Sequence, residues 1–414
     1  MRERTIPPIE RSSSRHRSNV EGHDDGSECG KAYWSCAEVP PFATGSSAQT
    51  ANYCTDSGYW AIIRFCRLKG AFLLLDCVDP RRRETVSGLG LLRIAVVIPC
   101  FRVSRQVADV IARIGPECSV IYAVDDGCPE QSGNTVEERC LDPRVRVLRH
   151  DVNQGVGGAM ITGFRAALAD GYDIVVKVDG DGQIDPALIP NLVTPIANGV
   201  ADYVKGNRFF NISDVHAMPI TRILGNLALS FLTKLSSGYW SLFDPNNGFV
   251  AIDARVLAHL PLDKISKRYF FESDMLFRLN TLRARVIDMP MKAVYGDEVS
   301  GLAPTKMIPH FFKRHMVNFV KRLFYSYYLR DFSLASLELP IGMFLLVFGF
   351  IFGGITWTEN GLAGIPTPTG TIMLAVLPIL VGLQFLLAFF GYDTTNMPSE
   401  PIGQMIGIRA KGVE

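Results

Sequence analysis

Apolar residues in the middle of the chain fall into short continuous runs that alternate with helically spaced segments. The runs at 92–99 and 120–124 are rich in β-branched side chains, which is typical of buried parallel strands. Between them, Val107, Val110 and Ile111 recur at helical spacing. Further strands are predicted at 145–149, 173–178 and 202–204, and further helices at 159–168 and 188–196. This alternation predicts an α/β fold in which helices cover both faces of a parallel sheet.

Two apolar runs near the end of the chain are much longer. Residues 339–357 and 371–392 carry no charged side chain, and each is long enough to span the hydrocarbon of a membrane. The loop between them has no Lys or Arg, whereas basic residues precede the first run and follow the second. The positive-inside rule then predicts that the α/β domain and the C-terminal tail are cytoplasmic. Two buried core helices of a soluble protein are the alternative interpretation.

The segment just before the long apolar runs mixes aromatic and basic residues. Residues 307–328 read MIPHFFKRHMVNFVKRLFYSYY, a composition that suits a helix in the headgroup layer of a membrane. An amphipathic helix packed on the sheet is the competing interpretation. The predicted organisation is an N-terminal extension at 1–88, a catalytic domain at 89–303, an interfacial segment at 304–333, a transmembrane hairpin at 334–392 and a cytoplasmic tail at 393–414.

The first 88 residues differ from the rest of the chain. Their start is polar, rich in Ser and Arg and without periodicity, so we expect disorder, or a start placed upstream of the true initiation site. Over all 414 residues, 42 basic and 41 acidic side chains nearly cancel, so charge gives no argument for nucleic acid as a partner. The nine cysteines lie at or before Cys140 without a C-x-x-C pair, which disfavours a zinc site or a disulfide framework.

Three of the predicted strands end in residues that could contact a ligand. Pro99 closes the first strand, Asp125 and Asp126 close the second, and Asp179 and Asp181 follow a later one. Ligands of such sheets bind beyond the carboxyl ends of the strands, and those ends share one edge. We therefore expect these five residues to lie around one site.

Two carboxylates one residue apart are the sharpest chemical signal. Asp179 and Asp181 would repel each other at the end of a buried strand unless a cation or a donor relieved them. Together with the amide oxygen of Gln183, they offer hard oxygen ligands that suit Mg²⁺ or Mn²⁺ shared with a diphosphate. A solvated surface pair is the competing interpretation.

Other charged residues are candidates for the remaining chemistry. Arg208 and Arg222 could stabilise the charge that develops on a diphosphate leaving group, although Arg222 could equally be a surface residue. Glu272 and Asp274 lie in an aromatic setting, where desolvation could raise a pKa towards that of a general base. Capping of a helix is the alternative for both. The glycine run NQGVGGA does not complete a dinucleotide fingerprint, because Met160 occupies its third glycine position.

Together these residues resemble the family 2 glycosyltransferases, especially the dolichol- or polyprenyl-phosphate mannose and glucose synthases. The motifs that carry the resemblance are VVIPCF, VDDG, NQGVGGA, VDGDGQ, KGNRF, NNGF and FESDM, followed by a C-terminal membrane hairpin. The resemblance implies the GT-A nucleotide-sugar fold, a divalent cation and inversion at the anomeric carbon. It implies these site residues: Pro99, Asp125 and Asp126 in the nucleotide pocket, Asp179, Asp181 and Gln183 at the metal, and Arg208 and Arg222 at the donor diphosphate.

The chain departs from the family pattern after VVIP. Where the family usually shows an aromatic residue followed by Asn-Glu, this chain has Phe101-Arg102-Val103. The acidic residue that would contact the sugar donor is therefore absent, and the identity of the donor stays open. The Q-x-x-R-W type motif of processive polysaccharide synthases does not follow FESDM. We therefore expect a single transfer rather than polymerisation.

The expected function is metal-dependent transfer of one hexose from a GDP- or UDP-linked sugar to a membrane lipid acceptor. A polyprenyl phosphate is already anionic and can attack without a general base, whereas a lipid or saccharide hydroxyl would need Asp274 or Glu272. Both acceptor classes stay open at this point. A non-catalytic membrane scaffold is disfavoured, because a scaffold has no reason to cluster charged ligands such as Asp179 and Asp181.

Overall fold

The computed structural model describes residues 92–210, 220–245, 247–291 and 304–410, and the backbone of three strands nearer the N-terminus. The chain divides into two compact units, Met1–Arg81 and Arg82–Glu414. In the first unit, the three strands form an antiparallel sheet in sequence order: β1 (Gln49–Cys54), β2 (Trp60–Leu68) and β3 (Ala71–Cys77).

These three strands differ from the expectation that no strand pattern persists before residue 88. Antiparallel pairing joins backbone groups of neighbouring strands, so it does not require the apolar alternation on which the sequence argument relied. The other residues of this stretch lie outside the described residues. The assignment of 1–88 as an extension or an upstream start stays a prediction.

The second unit is built on a seven-stranded sheet. Its strands are β4 (Ile94–Cys100), β5 (Cys118–Asp126), β6 (Val145–His150), β7 (Ile174–Lys177), β8 (Tyr203–Asn207), β9 (Val250–Asp253) and β10 (Val286–Pro290). In space they lie in the order β10-β8-β9-β7-β4-β5-β6. The predicted α/β class is confirmed, and the strands from β4 to β8 lie close to their predicted positions.

The alternation of strands and helices predicted a wholly parallel sheet, but the observed sheet is mixed. β9 runs antiparallel to both of its neighbours, β7 and β8, while the other pairs are parallel. The reason lies in the connection: the loop before β9 stays at the carboxyl edge, where Gly248 contacts Asp179. The chain therefore enters β9 from that edge and runs back through the sheet.

Helices cover both faces of the sheet. They are α1 (Val107–Ala112), α2 (Ser132–Arg139), α3 (Val156–Ala169), α4 (Ile189–Ala197), α5 (Ile220–Ser237), α6 (Ala254–Ala258) and α7 (Phe271–Thr281), with single 3-10 turns at Pro186–Leu188 and Leu262–Lys264. Successive strand residues point to opposite faces. Val97 accordingly packs in one buried cluster with Phe164, while Val96 and Ile98 pack in another with Leu192.

The C-terminal part is helical. It consists of α8 (Pro304–Phe324), a π-helical turn (Tyr325–Arg330), α9 (Leu334–Leu362), α10 (Thr369–Thr395) and α11 (Gly403–Ala410). α9 and α10 have mean hydropathies of 2.1 and 2.5 in their most apolar windows, and most of their residues are exposed. Length and composition make both helices candidate membrane spans.

Helix α8 buries several polar side chains and exposes both apolar and basic ones, among them Lys313 and Lys321. His315, Asn318 and Arg322 are buried against the rest of the unit, whereas Ile308 and Val320 are each 63% exposed. The helix packs on the sheet domain, as the competing interpretation expected. Its placement in the headgroup layer of a membrane stays a prediction.

Candidate active site

A cleft of about 500 Å³ opens at the carboxyl edge of the sheet. Four residues from the sequence analysis line it, namely Pro99, Asp126, Asp179 and Asp181. They come from the ends of β4, β5 and β7, which lie side by side in the sheet. The cleft also takes Arg268 and Tyr269, which precede helix α7, and the backbone of the glycine run that opens helix α3.

Asp126 holds the glycine loop in place. Its carboxylate accepts hydrogen bonds from the backbone N–H groups of Gln154, at 2.8 Å, and Gly155, at 2.7 Å. The Nδ1 atom of the buried His150 lies 2.7 Å from the same carboxylate. Gly155 has φ of +93°, and a Cβ at Gly157 would lie 2.2 Å from the Ser266 carbonyl oxygen. The glycines thus allow the loop to pack against the chain that leads into α7.

Asp125 is placed differently from its neighbour. Its two carboxylate oxygens accept hydrogen bonds from the backbone N–H groups of Cys128, at 2.8 Å, and Gly133, at 2.7 Å. These contacts tie the end of β5 to the first turn of α2. Asp125 is not among the described residues that line the cleft, and its predicted contact with a donor stays a prediction.

The two carboxylates after β7 both face the cleft. Asp181 Oδ1 accepts a hydrogen bond from the backbone N–H of Gln183, at 3.0 Å, so the turn itself orients this carboxylate. Asp179 Oδ1 accepts from the ammonium of Lys177, at 2.7 Å. Gln183 lies in the same turn without being one of the described cleft-lining residues.

Lys177 is a buried cation beneath the cleft. Its Nζ lies 2.7 Å from Asp179 Oδ1 and 3.5 Å from Glu272 Oε1, and it donates to the Gly248 carbonyl at 3.2 Å. Burial alone would lower the pKa of this lysine, but the charges of Asp179 and Glu272 outweigh burial and raise it. A Cβ at Gly248 would lie 2.1 Å from Asp179 Oδ2, so only glycine lets this loop approach so closely.

The two general-base candidates point to opposite sides of helix α7. Glu272 lies on the cleft side, beside Lys177. Asp274 faces away, where its carboxylate accepts from the Ser266 N–H at 2.9 Å, Arg278 Nε at 3.1 Å and Asn318 Nδ2 at 3.0 Å. Asp274 is 5% exposed and joins α7 to α8, so the structure separates it from the cleft.

Arg208 and Arg222, which were predicted to contact the donor diphosphate, are not among the described residues that line the cleft. Arg208 Nε donates to Asp244 Oδ2 at 2.8 Å, and its Nη2 donates to Asp244 Oδ1 at 3.2 Å. Arg222 lies in helix α5, and its side chain lies outside the described residues. Next to Arg208, buried Lys205 donates to the Asn247 carbonyl, and burial lowers the pKa of Lys205 to about 8.

Sequence reasoning missed Lys177, Arg268 and Tyr269. The signal for Lys177 was present: a lysine directly after the apolar run of a buried strand needs a buried anionic partner. No comparable signal marks Arg268 and Tyr269, because they reach the cleft only through the packing of their loop on Gly155.

The donor set fits a divalent cation that also binds substrate. Among the residues that the structure describes, no group of three or more His, Cys, Asp or Glu side chains could hold a metal ion alone. Asp179 and Asp181 supply carboxylates at an open cleft. Mg²⁺ is commonly held by one or two carboxylates while substrate phosphates and water fill its other positions. The arrangement therefore suits Mg²⁺ or Mn²⁺ bound together with a diphosphate.

Comparisons with known proteins agree with the architecture. The sequence profile described as "Glycosyl transferase family 2" matches residues 95–260, which include Asp126, Asp179 and Asp181. The chain is 31% identical over 218 residues to UDP-N-acetylglucosamine–dolichyl-phosphate N-acetylglucosaminyltransferase of Methanococcus voltae, covering 49% of this chain and 86% of that protein. It is 33% identical over 208 residues to undecaprenyl-phosphate mannosyltransferase of Micrococcus luteus, covering 49% of this chain and 84% of that protein.

Among solved structures, the chain is similar to glucosyl-3-phosphoglycerate synthase from Mycobacterium tuberculosis in complex with Mn²⁺, UDP and glucosyl-3-phosphoglycerate. The identity is 19% and the TM-score 0.44, covering 58% of this chain and 82% of that chain. The mixed α/β sheet and the family match together confirm the expected GT-A-like fold.

Proposed function

This chain belongs to glycosyltransferase family 2, and we propose that it moves one hexose from a GDP- or UDP-linked sugar to a polyprenyl phosphate in a membrane. The names of two relatives support the acceptor class, because one is a dolichyl-phosphate and the other an undecaprenyl-phosphate sugar transferase. The apolar helices α9 and α10 support a reaction at a membrane.

The observation that carries the acceptor class is the engagement of both general-base candidates. The Asp274 carboxylate accepts three hydrogen bonds and is buried away from the cleft. Glu272 is engaged as well, because its Oε1 lies 3.5 Å from the ammonium of the buried Lys177. An acceptor phosphate is anionic at neutral pH and needs no proton removed. A hydroxyl acceptor would need a base, and neither carboxylate is well placed to be one.

We assign the metal to Asp179 and Asp181, with Gln183 as a further oxygen ligand from the same turn. A bound Mg²⁺ or Mn²⁺ would stabilise the negative charge of the departing nucleoside diphosphate. The chain's own residues do the positioning: Lys177 orients Asp179, and the Gln183 N–H orients Asp181.

The nucleotide is proposed to lie along Pro99 and Asp126, which line the cleft. Asp125 supports this wall from behind through its contacts with α2. Arg208 and Arg222 are proposed to approach the donor diphosphate after the loop that holds Asp244 adjusts. The catalytic domain is proposed to face the cytoplasm, because the basic residues flank the hairpin on the side of that domain.

The test is a transfer assay with the full-length protein in a membrane. A panel of UDP- and GDP-sugars is offered with and without undecaprenyl phosphate, and with Mg²⁺, Mn²⁺ or a chelator. We expect lipid-dependent transfer that the chelator abolishes. We also expect Asp181→Ala to abolish it. Asp185→Asn should leave it within about twofold, since this exposed neighbour caps a short helix and lies 4.0 Å from Arg113 at the surface, outside the described cleft lining. Transfer that persists in the chelator or in Asp181→Ala would refute the metal assignment.

Asp274→Asn separates the two acceptor classes. Loss of a general base costs about 10²–10⁴ in rate. We expect a loss of less than about tenfold per folded molecule with undecaprenyl phosphate, because Asp274 has a structural role here. Folded fraction and donor affinity are measured alongside. A full general-base loss with intact folding and unchanged donor affinity would count against the base-free mechanism proposed for a lipid phosphate.

A further inference from the structure

Four elements meet at a single buried carboxylate, that of Asp393 near the end of helix α10. Its side chain is 1% exposed. Arg322 Nη1 donates to Oδ1 at 2.6 Å and Arg322 Nη2 to Oδ2 at 2.9 Å. Tyr327 Oη donates to Oδ1 at 2.6 Å, and Trp240 Nε1 donates to Oδ2 at 2.9 Å. Both oxygens therefore accept two hydrogen bonds each.

The arginine of this junction is fitted closely into the catalytic domain. Arg322 Nη2 also donates to the Leu235 carbonyl at the end of helix α5, at 2.9 Å. Gly238 has φ of +79°, and a Cβ there would lie 2.8 Å from Arg322 Nη1. A larger residue at position 238 would be strained in its backbone and would push the guanidinium away.

The chain beyond α10 returns to the same domain. Arg283 Nη1 donates to the Asn396 carbonyl at 2.8 Å. The backbone N–H groups of Ile402 and Gly403 donate to the Asp202 carboxylate, at 2.9 and 2.7 Å. Both ends of the pair α9–α10 are thus attached to the catalytic domain, the first through α8 and the second through the segment that was expected to be a tail.

Such a junction is better suited to fixing the relative orientation of two parts of the protein than to stabilising the folded state. Burying an ion pair costs desolvation that its attraction only partly returns, so apolar residues of similar volume often stabilise as well. Arg322 Nε has no hydrogen-bond partner among the described residues, but both oxygens of Asp393 are fully engaged, so most changes in geometry would strand a further buried polar group. The Asp393 junction therefore fixes the angle and distance between the cleft and the apolar helices.

We propose that Asp393 is a positioning residue for the membrane-borne acceptor. Its carboxylate holds the catalytic domain at one height and tilt over the apolar helices, so that the cleft meets a phosphate at the level of the lipid headgroups. The inference rests on the proposed lipid-phosphate acceptor. The proposed donor site lies elsewhere, at the ends of β4, β5 and β7, and no residue of this junction is among the described residues that line the cleft.

The test compares two acceptors of the same chemistry in the full-length protein. Undecaprenyl phosphate is embedded in nanodiscs, and geranyl phosphate is supplied from solution. For Asp393→Ala we expect transfer to undecaprenyl phosphate to fall at least about tenfold, in kcat or KM, because small misplacements of reacting groups are costly. Transfer to geranyl phosphate and the donor Kd are expected to stay within about threefold. Asp142→Asn disrupts an ion pair with Arg144 that contacts neither apolar helix, and it serves as control.

Equal losses with the two acceptors, or no loss with either, would overturn the positioning role. If Asp393→Ala does not fold, Tyr327→Phe and Trp240→Phe are used instead, because each removes one hydrogen-bond donor to Asp393. These variants are judged by the ratio of transfer to undecaprenyl phosphate over transfer to geranyl phosphate. A wild-type protein that transfers to neither phosphate refutes the proposed function itself. If instead the wild type is active and the variants are equally active, only the positioning role of Asp393 is refuted.

Discussion

Lys177→Met removes the buried cation that contacts both Asp179 and Glu272. The lysine side chain is 2% exposed, Asp179 is 30% exposed and Glu272 is 16% exposed. Without the ammonium, Asp179 and Glu272 lose the cation that both contact. Methionine keeps most of the volume, so the change isolates charge. Because the pKa of Lys177 is raised above its ordinary value, the ammonium is fully charged in the folded protein at pH 7–8.

The size of the effect follows from burial. Removing one partner of a buried ion pair costs about 3–5 kcal/mol, and the partial exposure of Asp179 reduces this to roughly 3 kcal/mol. For a domain of this size, about 1 kcal/mol shifts the melting temperature by 2–4 °C. We therefore expect Lys177→Met to melt about 6–12 °C below the wild type, as measured by scanning fluorimetry in detergent.

Mn²⁺ provides a second readout that does not depend on activity. A ligand that binds the folded state raises stability in proportion to RT ln(1 + [L]/Kd). Since Lys177→Met leaves Asp179 without its cation, Mn²⁺ should raise the melting temperature of the variant more than that of the wild type. Adding Glu272→Gln to the variant should restore part of the loss, because one of the two unpaired charges is removed.

Lys205→Met is the matched control for this experiment. It also removes a buried lysine of the same sheet, from β8, which β9 separates from β7. Burial has already lowered the pKa of Lys205 to about 8, so its charge is held less firmly. We expect a smaller loss than for Lys177→Met. Equal losses for the two variants, or a melting temperature of Lys177→Met within about 2 °C of the wild type, would refute the reasoning.

Two further predictions concern other parts of the chain. Burial raises the pKa of Asp288 to about 6, so the folded state holds this proton more tightly and stability falls as pH rises from about 4 to 6. Asp288→Asn should remove that fall and melt several degrees higher than the wild type at pH 8; an unchanged pH slope would contradict this. A Cβ at Gly382 would lie 2.8 Å from the Gly342 carbonyl oxygen, so Gly382→Leu should separate α9 from α10 and lower the melting temperature. Gly391→Leu, on an open face of the same helix, should not; equal effects of the two would contradict close packing.

The sequence was enough to predict the α/β class and the edge where the cleft lies. Strand ends and buried runs are local features, and Pro99, Asp126, Asp179 and Asp181 follow from them directly. The orientation of Asp125 was not predictable in the same way. Adjacent strand residues point to opposite faces, and only the packing of α2 shows which of Asp125 and Asp126 meets the cleft.

The remaining differences come from contacts between distant segments. Asn318 reaches Asp274 over 44 residues, and Asp393 reaches Arg322 over 71. Hydrophobic periodicity indicates that a position is buried, but it does not identify the element that covers it. The antiparallel direction of β9 has the same origin, since it depends on where the preceding loop crosses the sheet.

The separation of Glu272 from Asp274 places α7 between the cleft and the C-terminal helices. Residues two apart on a helix are rotated by about 200°, so these two carboxylates lie on opposite faces of α7. One face meets Lys177 beneath the cleft, and the other meets Asn318 of α8. Because α8 continues to Arg322 and the Asp393 junction, one helix contacts both α7 and the end of α10. Asp274, which resembled a catalytic base, joins α7 to α8 in this structure.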